Sequence, residues 1–192
     1  MSMQQSAEHP GAMHRGGNAS LTWRGQQALD EWVVGLSARL VFAATLIVYY
    51  LGSAATKLGD GLFGLFPPSA GAFAQILPPI AEHYSYDVAA IPFFPWHIVV
   101  MAGTVAEFVL PILIVLGLLT RLAALGMTGF IIVQTIVDIA FHGAAAGMLF
   151  NNQPGELLDT RLLWLFVLAV LIAKGAGTLS LDALIFRKRG PK

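Results

Sequence analysis

The sequence predicts an all-α polytopic membrane protein: four antiparallel transmembrane helices in a bundle, with a re-entrant or interfacial helix at one mouth. Three observations carry this. Only 11% of the residues are charged and 56% are hydrophobic, with a mean hydropathy of +0.70, whereas a soluble domain carries about 25% charge. Several apolar runs approach or exceed the roughly 20 residues needed to cross a bilayer. The few charges inside those runs recur on shared helix faces, as buried partners must.

The chain opens with MSMQQSAEHPGAMHRGGNAS, a tail over 1–20 whose composition predicts disorder. Its Met1, Met3, His9, Met13 and His14 are soft-metal donors on what reads more simply as a floppy terminus. The membrane domain is assigned to 21–187. Leu21 to Leu36, with Trp23 and Trp32, reads as an amphipathic interfacial helix. The first span is expected from Val33 to Thr56, the second from Pro95 to Leu119, the third from Arg121 to His142 and the fourth from Thr160 to Thr178. Only LLTR separates spans two and three, so these are antiparallel neighbours. A basic tail, 188–192, closes the chain.

The connection from Lys57 to Phe94 is long for a plain linker. It contains FPPSAGAFAQILPPIAEHY. Ser69 suits the N-cap of a short helix, and Pro78 and Pro79 are expected to end or kink it. This segment reads either as a lid over the mouth of the bundle or as an ordinary packing element.

Lysines and arginines set the expected orientation. Arg15, Arg24, Arg39, Arg121, Arg187, Lys188, Arg189 and Lys192 fall on one side. Asp60, Glu82, Asp87, Glu156 and Asp159 fall on the other, with Lys57. The bias places both termini in the cytoplasm of a bacterial-type inner membrane. Formal net charge is zero, which argues against nucleic acid as a partner; the bilayer and a partner protein in a membrane complex are the partners expected. There is no cysteine, which excludes a disulfide framework and a thiol relay within the chain. Neither a nucleotide-binding loop nor a hydrolase elbow is present.

Polar residues within the spans form the candidate network. Arg39 and Lys57 lie 18 residues apart, five turns and about 27 Å along one helix face, with Tyr50 close to the same line. Glu107 is expected about 15 Å below His97, near the midplane, with Pro111 one turn further on freeing its carbonyl. Gln134, Asp138 and His142 recur every four residues and share a face. Arg121 and Lys174 lie at the inner ends. The buried network is therefore Arg39, Tyr50, Lys57, Glu107, Arg121, Gln134, Asp138 and Lys174. Glu107 is expected to pair with a cation of the first span, and Asp138 with Lys57 or His142.

Lys57, His97, Asp138 and His142 converge on the outer half as a candidate pocket. A His–Asp pair there suits a quinone headgroup, which needs a donor at each carbonyl oxygen and a carboxylate to move a proton. His97 and His142 are also the candidate ligands for a metal or haem, although their spacing matches no diagnostic pattern. Ion pairs that only pin the bundle are the competing reading. No catalytic residue and no firm cofactor follow.

RLVFAATLIVYYLGSAATKL places an arginine, aromatic residues, a glycine and a lysine as in the first span of the DoxX family. EFVLPILIVLGLLTRLAAL resembles that family's junction between spans two and three, where a glutamate precedes a Gly-Leu-Leu-Thr-Arg turn. KGAGTLSLDAL resembles its closing segment. The resemblance covers about residues 35 to 187, and it makes Arg39, Lys57, Glu107, Arg121 and Asp182 the matching positions. It implies a four-helix membrane protein. The family name comes from a subunit associated with an archaeal quinol oxidase, and a related small subunit belongs to a thiosulfate:quinone oxidoreductase. Other members accompany redox-stress or metal-handling proteins. The long N-terminal tail and the proline-rich outer loop depart from shorter members. The implied role is an accessory subunit of a redox or metal-stress system, with quinone as a candidate ligand. The alternatives are a non-catalytic scaffold or assembly factor, and a metal-binding or transport-related bundle.

Overall fold

A computed structural model describes residues 32–60, 64, 66–149 and 156–185. The expected N-terminal tail, most of the expected interfacial helix from Leu21 and the basic tail 188–192 lie outside the described residues. Within them all regular structure is helical.

Helix α1, Trp32–Lys57, runs for 26 residues. Its buried residues Ala38, Phe42, Leu46, Tyr50 and Ala54 repeat every four positions, longer than the 3.6 of an α-helix. A π-helical turn at Ala43–Ile47, which takes more residues per turn, absorbs part of that mismatch and keeps the stripe on one side.

Two short helices follow. In α2, Ala70–Ile76, the Ser69 hydroxyl accepts from the Ala72 N–H (3.0 Å) and donates to the Lys57 carbonyl (3.0 Å). One side chain thus caps α2 and anchors it to the end of α1. α2 ends at Ile76, before the prolines, as expected. The prolines also begin the next helix: Pro78 and Pro79 occupy the first turn of α3, Pro78–His83, where their missing N–H groups cost nothing. α2 and α3 pack through Phe73, Ala72 and Ala81 against Val100 and Ile91.

Helix α4, Ile98–Leu116, carries Pro111 inside it and ends at Gly117 in the left-handed conformation. The Leu118 N–H donates back to the Leu113 carbonyl (2.9 Å), so the chain reverses within three residues. α5, Thr120–Phe141, returns antiparallel. α6, Leu157–Lys174, packs on α5, and a short α7, Leu181–Ile185, follows. Phe42, Leu46 and Tyr50 of α1, Ile114 of α4, Ala124, Met127 and Ile131 of α5 and Leu168 and Leu171 of α6 form the main core.

The burial pattern is that of a protein solvated by lipid. Arg39, Lys57, His97, Glu107 and Arg161 are buried, while Val48, Leu122, Leu163 and Phe166 are each at least 66% exposed. Apolar side chains facing outward and charges facing inward is the arrangement a hydrocarbon solvent favours. Three helical stretches are long and apolar enough to cross: Trp32–Lys57, Phe93–Leu116 and Thr120–Phe141. The expected fourth, α6, stands apart from these. It is 18 residues long and carries Asp159, Arg161 and Lys174.

Candidate functional site

Arg39 lies at the α4–α5 turn. Its guanidinium donates to the carbonyls of Ile114 (3.2 Å), Val115, Ala176 (3.1 Å) and Leu179 (2.6 Å). The first two are carbonyls of the last turn of α4; that of Ile114 also accepts from the Gly117 N–H (3.1 Å). Asp182 performs the complementary task at the start of α5: its carboxylate accepts from the N–H groups of Leu119 (2.7 Å) and Thr120 (2.9 Å) and from the Thr120 hydroxyl (2.8 Å). Both residues are staples between helix ends. Arg121 reaches the Ala173 carbonyl (3.2 Å), and Arg121 and Lys174 are exposed, so neither joins a buried network.

At the other end of α1, the Lys57 ammonium stands 2.7 Å from Glu107 Oε2, with 5% and 1% of the two side chains exposed. The same ammonium donates to the Ser53 carbonyl (3.2 Å) and hydroxyl (2.8 Å). Of the two cations on the first span, Lys57 is therefore the partner of Glu107. Asp138 pairs with neither Lys57 nor His142. It meets Arg161 of α6, whose Nη2 lies 2.9 Å from Asp138 Oδ2. Arg161 is 4% exposed and lies over the Trp164 ring, 4.3 Å from its centroid. The α5 face that carries Asp138 turns partly toward α6, and that decides the partner.

Gln134 ties the two groups of helices together. Its Oε1 accepts from the Tyr50 hydroxyl (3.3 Å) and from Arg161 Nη1 (3.3 Å), and its Nε2 donates to the Tyr49 hydroxyl (3.0 Å).

Between these two charge pairs lies a cavity of about 540 Å³, walled by α1, α2, α4 and α5. Tyr49, Ser53, Lys57, Glu107, Gln134, Asp138 and His142 supply its polar wall. Gly103, Gly126, Gly129, Phe130, Val133 and Val137 supply much of the rest. A Cβ at Gly129 would meet nothing within 4 Å, so the bare backbone of α5 faces open space. At Gly103 the neighbour is Ile76 Cδ1, 3.2 Å from such a Cβ, and the missing side chain lets α2 sit close. His142 Nε2 lies 3.2 Å from the Gln75 carbonyl, which holds the end of α5 to the end of α2 beside the cavity.

Lys57, Asp138 and His142 thus come together as anticipated for the outer pocket, and His97 does not. His97 packs between Phe73 (5.0 Å between ring centroids) and Phe93 (5.6 Å), and its Nδ1 is buried without a partner. His97 has helical dihedrals and leads straight into α4, and ten residues at about 100° each turn it roughly 80° away from the Glu107 face, toward Phe73 of α2. His97 and His142 do not converge, and among the described residues no group of three His, Asp or Glu side chains could hold a metal ion. Tyr49, Ser53 and Arg161 were missed. Arg161 carried the same signal as Glu107, a charge inside an apolar run. Tyr49 was hidden by its neighbour, because the stripe drawn from Arg39 to Lys57 selects Tyr50.

The DoxX family model matches residues 34–143, more than half of the chain. The chain belongs to the DoxX family. An uncharacterized protein of Haemophilus influenzae is 33% identical over 108 residues, which is 55% of this chain and 64% of that relative. The chain spans less than two thirds of that relative's length. No solved structure matches the chain. The DoxX match includes every residue of the cavity wall, from Tyr49 to His142, and stops short of Arg161 and Asp182. The protein is a membrane protein of this family, and its matched region is the part that lines the cavity.

Proposed function

We propose that this DoxX protein is an accessory membrane subunit of a redox or metal-stress system and that its cavity receives a quinone headgroup. The observation that carries the reading is the cavity itself: a half-open, largely apolar pocket with bare glycine backbone on one helix and hydrogen-bonding side chains on one wall. Ligand sites are commonly built in this way, largely apolar with a few placed polar groups. A planar ring suits the space beside Gly129, and Tyr49, Ser53 and His142 are of the types that hold a carbonyl oxygen. Asp138, ion-paired with Arg161, stands on the same wall.

Four crossings complete the proposed topology. α6 is about 27 Å long, close to the hydrocarbon thickness of a bilayer, and its buried Arg161 is neutralised by Asp138. Both termini then lie in the cytoplasm of an inner membrane.

The test is purification from native membrane in mild detergent, followed by solvent extraction and measurement of quinone, metal and co-purifying proteins in one sample. Wild type should retain quinone, and Gly129→Leu, which fills the cavity, should lose it while remaining folded. A second reading, a scaffold for a partner protein, is favoured by Arg39 and Asp182, which only join helix ends. It expects Gly129→Leu to keep its partner and wild type to carry no quinone.

A further inference from the structure

On the reading of the cavity as a quinone site, we infer that Tyr49 donates the hydrogen bond that holds the ligand, and that the cavity therefore selects the oxidised, carbonyl-bearing headgroup over the quinol.

The direction of the hydrogen bonds fixes this. Arg161 can only donate, so the Gln134 atom beside it must be the acceptor Oε1 (3.3 Å). The Tyr50 hydroxyl donates to the same oxygen (3.3 Å). The Gln134 amide nitrogen must then face Tyr49, and it donates to the Tyr49 oxygen at 3.0 Å. Tyr49 is thereby cast as the acceptor in its bond with Gln134, and its own proton is left over. No acceptor among the described residues takes that proton, and Tyr49 lines the cavity.

The chain begins at a buried cation, Arg161, and each bond polarises the next. It delivers a strengthened O–H donor to the cavity wall. A carbonyl oxygen satisfies such a donor. A quinol hydroxyl oxygen can accept the same proton, but it is the weaker acceptor, and its own proton needs a further acceptor that the Tyr49 oxygen, engaged by Gln134, is poorly placed to supply. The ester carbonyl of a phospholipid offers the same acceptor chemistry as a quinone, so the two sources must be told apart.

The measurement is quenching of tryptophan fluorescence in the purified, detergent-solubilised protein, since Trp164 packs against Tyr49 (5.3 Å between centroids). The probes are decylubiquinone and decylubiquinol. Tyr49→Phe keeps the ring, so the melting temperature should hold while decylubiquinone binding weakens about tenfold and decylubiquinol binding changes little. Gln134→Glu is the sharper variant. A carboxylate there accepts from Arg161 and must also accept from Tyr49, which consumes the free proton. The quinone preference should then be lost although the hydroxyl is still present.

Gly129→Leu separates the two levels of the argument. If it abolishes binding while Tyr49→Phe and Gln134→Glu bind both probes like wild type, the cavity stands and the Tyr49 assignment is overturned. If Gly129→Leu binds like wild type, the cavity reading fails and the Tyr49 assignment fails with it. If added phosphatidylcholine displaces the quinone from wild type but not from Tyr49→Phe, the acceptor is a lipid ester and the quinone assignment is overturned.

Discussion

Glu107 and Lys57 show how a carboxylate survives inside an apolar helix. Both side chains are almost wholly buried, and each offsets the other's charge at 2.7 Å. Removing one partner of such a pair leaves the other buried and uncompensated, which costs about 3–5 kcal/mol. Glu107→Gln should therefore fold in low yield and melt early in detergent. The double variant Lys57→Met with Glu107→Met removes both charges and should recover much of that loss. Melting curves of the two single variants and the double variant check this. Recovery absent in the double variant would mean that the pair is not the source of the loss. Pairing of Glu107 with a first-span cation was legible, because a charge in an apolar run demands a partner and Arg39 and Lys57 were the cations at hand on that helix. The Asp138–Arg161 pair was not. Spacing along α5 says which residues share a face, and it does not say which neighbouring helix that face meets. The same holds for Tyr49, whose place in the site depends on a hydrogen bond to α5 that no pattern within α1 encodes.

The helices themselves were readable to within a few residues, because a run of about 20 apolar residues has few alternatives in a bilayer. Ser69 was readable as a cap for the same local reason: its side chain serves an N–H three residues on. The end of α2 before Pro78 was readable as well; that the same prolines begin a further helix was not. Pro78 and Pro79 start α3, and Pro111 sits within α4 without dividing it. The α4–α5 reversal shows the tightest element chemistry. Gly117 has φ of +68°, and a Cβ placed there would stand 2.6 Å from Ser180 Cβ and 2.9 Å from Arg39 Cζ. Gly117→Ala thus incurs the left-handed penalty of roughly 1–2 kcal/mol and also displaces the arginine that caps α4. The expected result is a clear drop in melting temperature. Gly52→Ala, where a Cβ meets nothing within 4 Å, is the control and should leave the melting temperature near that of wild type or raise it slightly through helix propensity. Equal behaviour of the two variants would remove the Arg39 staple from the account of this turn.

Across the whole molecule, the two ends differ in charge, and that difference sets a testable orientation. α1 runs from the Arg39 end to the Lys57 end, α4 runs back and α5 returns, as the Arg39–Ile114 and Lys57–Glu107 contacts require. The Arg39 end also holds Arg121 and Lys174, and Arg187, Lys188 and Arg189 follow α7 in the sequence. The Lys57 end holds Asp60, Glu82, Asp87, Glu156 and Asp159. Positive residues favour the cytoplasmic side, so Ser85, exposed at the Lys57 end, should face outward. Thr178 is exposed beyond the end of α6, between Ala176 and Leu179, both of which bond to Arg39. It should face the cytoplasm if α6 crosses. The chain has no cysteine, so single replacements report without background. In intact cells, Ser85→Cys should react with a membrane-impermeant maleimide, and Thr178→Cys should react only after permeabilisation. The reverse pattern would invert the orientation. Labelling of both from outside would place the two ends of α6 on one side of the membrane. The buried Arg161 would then have to be explained without a fourth crossing.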